Sequence, residues 1–322
     1  MLNNVRIVYM GTPDFAVEPL KAMIDKGYNV VGVVTVPDKP TGRGQKIQSS
    51  PVKRYAIEKG LRILQPEKLK NQEFIDELTS LNPDIAVVVA FRMLPESVWS
   101  IPKLGTFNLH ASLLPQYRGA APINWAIING ETKSGVTTFL IDHQIDTGNI
   151  IFREEVPIEQ DDTAGDLHDK LMVVGANLVL MTIDQLSENR VKPISQNTFL
   201  KENEEIKSAP KIFRETCRIG WGKSTTEVYN LIRGLSPYPG AWTELIFADG
   251  NTIQAKILDA RPLEKHHQIE SGTINSDGKS TLHVACSNGF INITEIQLAG
   301  KRPMKTSELL NGFRNILPIK MK

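Results

Sequence analysis

Asp84-Ile85-Ala86-Val87-Val88-Val89-Ala90 is the most apolar stretch of the chain, and it ends at Phe91-Arg92-Met93. A short run of this kind is a strand covered on both faces, the mark of a central position in a parallel sheet. A second strand follows at Thr106-Phe107-Asn108-Leu109 and runs into His110. Side chains two apart share a strand face, so Asn108 and His110 project together, roughly 6.6 Å apart along the backbone. Phe107 and Leu109 then point into a core. The carboxyl ends of such strands are where open α/β sheets hold their ligands. Buried polarity where a strand runs into a Gly- and Pro-bearing loop is costly unless it is used.

Outward from these strands the pattern stays α/β. Val5–Met10 reads as a strand, Gly11-Thr12-Pro13-Asp14 as a turn, residues 16–26 as a helix and 29–36 as the next strand. The turn is not a dinucleotide fingerprint: it lacks GxGxxG, and Pro13 removes an amide that a pyrophosphate would use. Helices are expected over 51–59, 67–81 and 120–129, a short strand over 62–64, and further strands over 134–142 and 149–156. A long helix over 163–188 carries a stripe of Leu167, Leu171, Val174, Leu178 and Met181 toward the sheet. The fold class is therefore α/β, a Rossmann-like doubly wound, parallel-rich sheet over residues 1–188. Residues 189–208 are polar and without period, as a linker would be. From 209 to 322 one helix, 223–235, precedes five short strands, 241–247, 252–260, 271–275, 280–285 and 290–298. With their turn signals, these suggest a small C-terminal OB-like β-barrel.

With 322 residues, two domains are expected. An apolar share of 41% with 23% charged is ordinary for a water-soluble chain, and no run approaches the roughly 18 apolar residues that cross a bilayer. Residues 1–6 carry no signal-peptide core. Cys217 and Cys286 form neither a CxxC nor a metal-ligand spacing, so a reduced, cytoplasmic setting without a metal is expected. Charge is split along the chain. Residues 1–208 hold 22 Lys and Arg against 26 Asp and Glu, whereas residues 209–322 hold 15 against 10. A basic C-terminal part suits a polyanionic partner, although uneven solvated faces would give the same split. The loop 37–50 adds Lys39, Arg43 and Lys46, placed to meet phosphates if the loop is more than a solvated connection.

Three side chains stand near one another in the first part: Asn108, His110 and one carboxylate, Asp142 or Asp146. An imidazole holds a carbonyl oxygen or moves a proton near neutral pH. An amide NH2 donates to a developing oxyanion, and a carboxylate orients the imidazole. Together they suit acyl transfer by direct attack of a substrate amine, with no Ser or Cys nucleophile demanded. The plainer reading is a hydrogen-bonded pair at a strand end.

Asn108-Leu109-His110, Ser112-Leu113-Leu114-Pro115, Arg118-Gly119-Ala120-Ala121-Pro122 and Asp146-Thr147-Gly148 together resemble the signature of the folate-dependent formyltransferases. Gly11-Thr12-Pro13-Asp14-Phe15-Ala16, the loop with Arg43, and Ser50-Pro51-Val52-Lys53 point to the branch that acts on charged initiator tRNA. The resemblance covers both parts of the chain. It implies transfer of a formyl group from 10-formyltetrahydrofolate to the methionine α-amine of initiator methionyl-tRNA, for translation initiation. It also implies that Asn108 and His110 hold the formyl oxygen, and it selects Asp146 over Asp142 as the third catalytic group. Ser112, Leu113, Leu114 and Pro115 would contact the folate, Arg43 and Lys46 the tRNA acceptor end, and the basic barrel the acceptor arm. A monomer without membrane attachment is expected. Where many relatives have Tyr-Gly after the apolar strand, this chain has Phe91-Arg92, which puts the pterin contacts there in question. The alternatives are a formyltransferase acting on a nucleotide sugar, a formyltetrahydrofolate hydrolase, and an RNA-binding protein with an inactive enzyme domain.

Overall fold

The structure, a computed structural model of the chain, describes residues 4–41, 46–313 and 317–322. Its packing divides into two compact units. One comprises Met1–Gly119, Ser134–Val156 and His168–Ser208; the other comprises Ala120–Lys133, Pro157–Leu167 and Ala209–Lys322.

The first unit is built on seven strands: β1 (Ile7–Gly11), β2 (Val30–Val34), β3 (Ile63–Leu64), β4 (Ile85–Val89), β5 (Thr106–His110), β6 (Lys133–Leu140) and β7 (Ile150–Pro157). They lie in the order β7-β6-β5-β4-β1-β2-β3. The stretch that opened the reading, β4, is buried at all five residues and pairs in parallel with β1 on one side and β5 on the other. From β3 to β5 the sheet is parallel, and β6 then runs antiparallel to β5. Strand order reverses between β1 and β4, so the crevice beyond their carboxyl ends is the ligand position of a doubly wound sheet. At that edge Gly11 is required: a Cβ there would lie 2.7 Å from the Ala16 Cβ and 3.3 Å from the Val89 carbonyl oxygen.

Helix Ala164–Ser187 covers the sheet. It meets bilayer-crossing length and hydropathy by composition. Its apolar face is nevertheless committed to the sheet: Leu171, Leu178, Val179 and Ile183 are buried, and Gly175 lets the Leu109 side chain of β5 approach its backbone. The expected stripe holds at Leu171 and Leu178 but not at Met181, which is 41% exposed. The buried line instead follows Gly175, Val179 and Thr182, whose hydroxyl meets that of Thr138 on β6 at 2.9 Å. The helix expected over 67–81 begins only at Gln72, because the Asn71 side chain caps it by accepting the Glu73 amide at 3.2 Å. The 37–50 loop also contains a short antiparallel ribbon, Lys39–Thr41 against Lys46–Gln48.

The second unit contains β8 (Ala241–Phe247), β9 (Thr252–Leu263), β10 (Ile274–Ser276), β11 (Leu282–Ala285), β12 (Phe290–Leu298) and β13 (Pro318–Met321). Their order is β10-β11-β12-β9-β8-β13. A bridge between Thr273 and Lys320, and a 2.7 Å bond from the Met321 amide to the Gly272 carbonyl, bring the two ends together. The result is a nearly closed antiparallel barrel, which leaves few free strand edges. Its sixth strand, β13, has only four residues beginning at a proline and gave no alternating signal. Helix Thr225–Gly234 starts on a capping box of Ser224 and Glu227 and buries Val228 and Ile232 in the barrel core with Ile257 and Ile291. Both cysteines are buried free thiols.

Candidate functional site

The site gathers at the carboxyl end of β5. Asn108 lies on β5 opposite Val88 of β4 and Phe139 of β6, and His110 ends the strand opposite Thr137. His110 is 6% exposed. Its Nε2 lies 2.9 Å from the Tyr117 carbonyl oxygen, and its Nδ1 lies 3.9 Å from the Asp146 Oδ2. A carbonyl can only accept, so Nε2 carries the proton, and in the neutral ring Nδ1 holds the lone pair. The unprotonated nitrogen of that tautomer therefore faces Asp146.

Geometry separates the two candidate carboxylates. Asp142 Oδ1 accepts from the Gln144 amide and the Thr147 hydroxyl, both at 2.9 Å, so it shapes the turn after β6. Asp146 sits further round that turn in a left-handed conformation, φ 55°, with Oδ2 accepting the Gly119 amide at 3.0 Å. Gly148 makes the turn possible: a Cβ there would fall 1.7 Å from the Leu140 carbonyl oxygen.

Asn108 Oδ1 is buried with no hydrogen-bond partner, as is the Thr12 hydroxyl just beyond β1. Such atoms are rare in folded proteins because an unmet buried acceptor costs about 1–3 kcal/mol. Thr12 follows β1 and Asn108 lies on β5, with β4 between the two strands, and each leaves a buried polar atom open to a ligand.

The four residues after Ala111 are differently employed. Ser112 is fully buried, and its hydroxyl donates to the Gln116 carbonyl at 2.6 Å. The Thr137 hydroxyl of β6 donates to the Ser112 carbonyl at 2.6 Å and accepts the Leu114 amide at 3.1 Å. Leu114 is core, packed with Phe139 and Ile150. Pro115 is buried, whereas Leu113 is half-buried and lies over Gly135. Of the four, Leu113 is the side chain most available to a ligand. Arg92, at the end of β4, donates to the Pro66 and Glu67 carbonyls at 2.8 and 3.0 Å and stacks on Phe91. Arg43 lies outside the described residues, and for Lys46 only the backbone is described.

Sequence reading missed two features. Gln196, in the segment read as a linker, is 3% exposed and bonds to Arg118 and to the turn that carries Asp146. Polar composition hid it, because a single buried glutamine leaves no periodic trace. On the barrel, the Arg214 and Arg218 guanidinium groups lie 5.3 and 5.2 Å from the Trp242 ring. Arg214 and Trp242, with Tyr238 and Lys256, line a cavity of about 470 Å³. Among the described residues, no three His, Cys, Asp or Glu side chains group as metal ligands.

A doubly wound sheet with Asn108 and His110 on its fifth parallel strand, Asp146 facing His110 from the turn after β6, and a barrel beyond has an arrangement suited to acyl transfer. Residues 4–183 match the formyl transferase family and residues 211–314 its C-terminal domain, so the chain belongs to the formyl transferase family. Methionyl-tRNA formyltransferase of Bacteroides thetaiotaomicron is 55% identical over 311 residues, 97% of this chain and 96% of the relative. The methionyl-tRNA formyltransferase of Flavobacterium johnsoniae is 52% identical, covering 97% of each chain. Among solved structures, a sugar 3N-formyl transferase crystallised with dTDP and 5-N-formyl-THF shares the fold: TM-score 0.63 at 23% identity, over 92% of this chain and 99% of that one.

Proposed function

We propose that this chain transfers the formyl group of 10-formyltetrahydrofolate to the α-amine of methionine on initiator methionyl-tRNA, and so serves translation initiation in the cytoplasm. What carries the reading is the cluster of Asn108, buried His110 and Asp146 in a chain more than half identical to proteins of that name. The span 1–188 does the chemistry, 189–208 connects, and 209–322 binds the tRNA. Arg43 and Lys46 reach the acceptor end, and the Arg214, Arg218 and Trp242 cluster offers cations and a stacking surface to an RNA strand. Leu113, with the backbone of residues 112–115, borders the folate.

The chemistry follows from which atoms are free. The neutral amine attacks the formyl carbon, and its electron pair forms the new C–N bond while the carbonyl pair moves onto oxygen. Asn108 donates to that oxygen from its amide NH2. His110 Nδ1 takes the amine proton, and Asp146 at 3.9 Å faces the imidazolium that results. Collapse breaks the bond to the folate nitrogen, which receives the proton back from His110. Every proton is thus carried by one side chain, and no metal is needed for this sequence of steps.

The test is one assay with labelled 10-formyltetrahydrofolate, offering initiator methionyl-tRNA, elongator methionyl-tRNA, a nucleotide amino sugar and no acceptor in parallel. Label on the initiator alone is expected. Formate release without an acceptor would instead indicate a hydrolase, label on the sugar would indicate a sugar formyltransferase, and no turnover would leave a binding protein.

A further inference from the structure

The segment read as a linker places one side chain in the turn behind the catalytic carboxylate. Gln196 Nε2 donates to the Asp146 carbonyl and to the Gly148 carbonyl, both at 2.9 Å. Its Oε1 accepts from Arg118 Nε at 3.1 Å and Nη2 at 2.6 Å. The orientation of this amide is not a matter of choice. Arginine has only donors and a backbone carbonyl only accepts, so oxygen must face Arg118 and nitrogen must face the turn. All four hydrogen bonds that the side-chain amide can make are formed, in a residue that is 3% exposed.

We propose that Gln196 is a positioning residue for Asp146, with Arg118 fixing its direction. The proposal rests on Asp146 being the group that supports His110. Asp146 holds an uncommon left-handed backbone, φ 55°, and its carboxylate is aimed by one bond, from the Gly119 amide. That bond sets the side chain but not the peptide plane. Gln196 clamps the carbonyls on either side of Thr147, so it sets the plane from which the carboxylate projects. Arg118 and Gly119 form a two-residue strand, Arg118–Gly119, so one short strand orients both the carboxylate and its clamp. A displacement of about 1 Å at a catalytic group costs on the order of 100-fold in rate, so a clamp two bonds away from the chemistry still matters.

A purely structural role for Gln196, docking residues 190–208 onto the first unit, makes a different prediction. It would lower stability and leave the turnover of the folded enzyme alone, and its cost would add to that of any active-site change. Three variants of the full chain separate the two: Gln196→Leu, Gln196→Glu and Asp146→Asn, with the Gln196→Leu/Asp146→Asn double variant. Asn tolerates the left-handed region as Asp does, so Asp146→Asn removes the charge without disturbing the turn. Glu at 196 keeps the pair with Arg118 and the dock, but has no donor for the two carbonyls. Steady-state kinetics on initiator methionyl-tRNA are expected to show kcat down 10- to 100-fold in both Gln196 variants, with KM for both substrates within threefold. The double variant should fall within threefold of Asp146→Asn alone, since coupled residues are not additive. Full kcat in Gln196→Glu, or additive losses in the double variant, would overturn the proposal. Full activity in Asp146→Asn would overturn both it and the catalytic role assigned to Asp146, whereas an impaired Asp146→Asn beside unimpaired Gln196 variants would overturn the positioning role alone.

Discussion

Thr137→Val isolates the bond pair that shapes the loop beside His110. The two side chains have nearly the same shape, but valine has no hydroxyl. In the parent, this one oxygen donates to the Ser112 carbonyl at 2.6 Å and accepts the Leu114 amide at 3.1 Å. Thr137 is fully buried, so water does not replace either bond. An unmet buried backbone group costs about 1–3 kcal/mol, and two of them give about 2–6 kcal/mol. For a domain of this size 1 kcal/mol moves the melting point by about 2–4 °C, so the transition of the first unit should fall by roughly 4–24 °C. Thr137→Ser keeps the hydroxyl and loses only a methyl, so it should remain within a few degrees of the parent. Differential scanning calorimetry of the three proteins, with and without folate, reads this directly. A Thr137→Val protein that melts with the parent would show that the loop is held by the Leu114 core contacts alone, and the polar account of its shape would be wrong.

Asn108→Ala and His110→Ala should each lower kcat by about 100-fold or more while tRNA affinity by filter binding stays near the parent, because an oxyanion donor contributes about 3–4 kcal/mol. If the basic barrel grips phosphates, the logarithm of tRNA affinity should fall linearly with the logarithm of salt concentration, and a flat response between 50 and 200 mM salt, a range in which counterion release moves affinity by about 10³-fold or more for six to ten contacts, would remove the barrel from that role. In the turn between β10 and β11, bonds from the Thr281, Ser280 and Lys279 amides hold the Asp277 carboxyl well below the usual carboxylate range. A carboxylate depressed in the folded state adds stability above its unfolded pKa of about 3.9 and loses it as pH falls toward the folded value. Asp277→Ala should therefore lower the barrel's melting point at pH 7, and the gap should narrow below about pH 4; a gap independent of pH would refute the assignment.

Much of the fold was legible because it rests on periodicity. The buried run at β4, the alternation at β8 and β12, and the capping residues of the helices act locally, over a few residues of chain. Observed bounds for β8 and β12 coincide with those expected, 241–247 and 290–298. The misses have physical causes. Asn71 ended the preceding turn where helix propensity alone would have continued back to Glu67, and β13 was too short and proline-bearing to alternate. At the site, strand spacing placed Asn108 and His110 on one face, but it could not choose between Asp142 and Asp146. The structure shows that Asp142 is consumed within its own turn, and turn hydrogen bonds depend on backbone angles that residue types only bias.

By itself, then, the chain's order of residues determined a parallel sheet centred on Asp84–Ala90, a polar pair at the end of the next strand, and a basic second part. The tertiary structure alone decided what those groups can do. It turned the His110 lone pair toward Asp146 through the Tyr117 carbonyl, left Asn108 Oδ1 without a partner, and brought Gln196 back against a turn 50 residues earlier. The reason is range. Side-chain alternation and capping are set by neighbours in sequence, whereas the protonated nitrogen of an imidazole and the facing of a buried amide are set by acceptors that folding delivers from elsewhere in the chain.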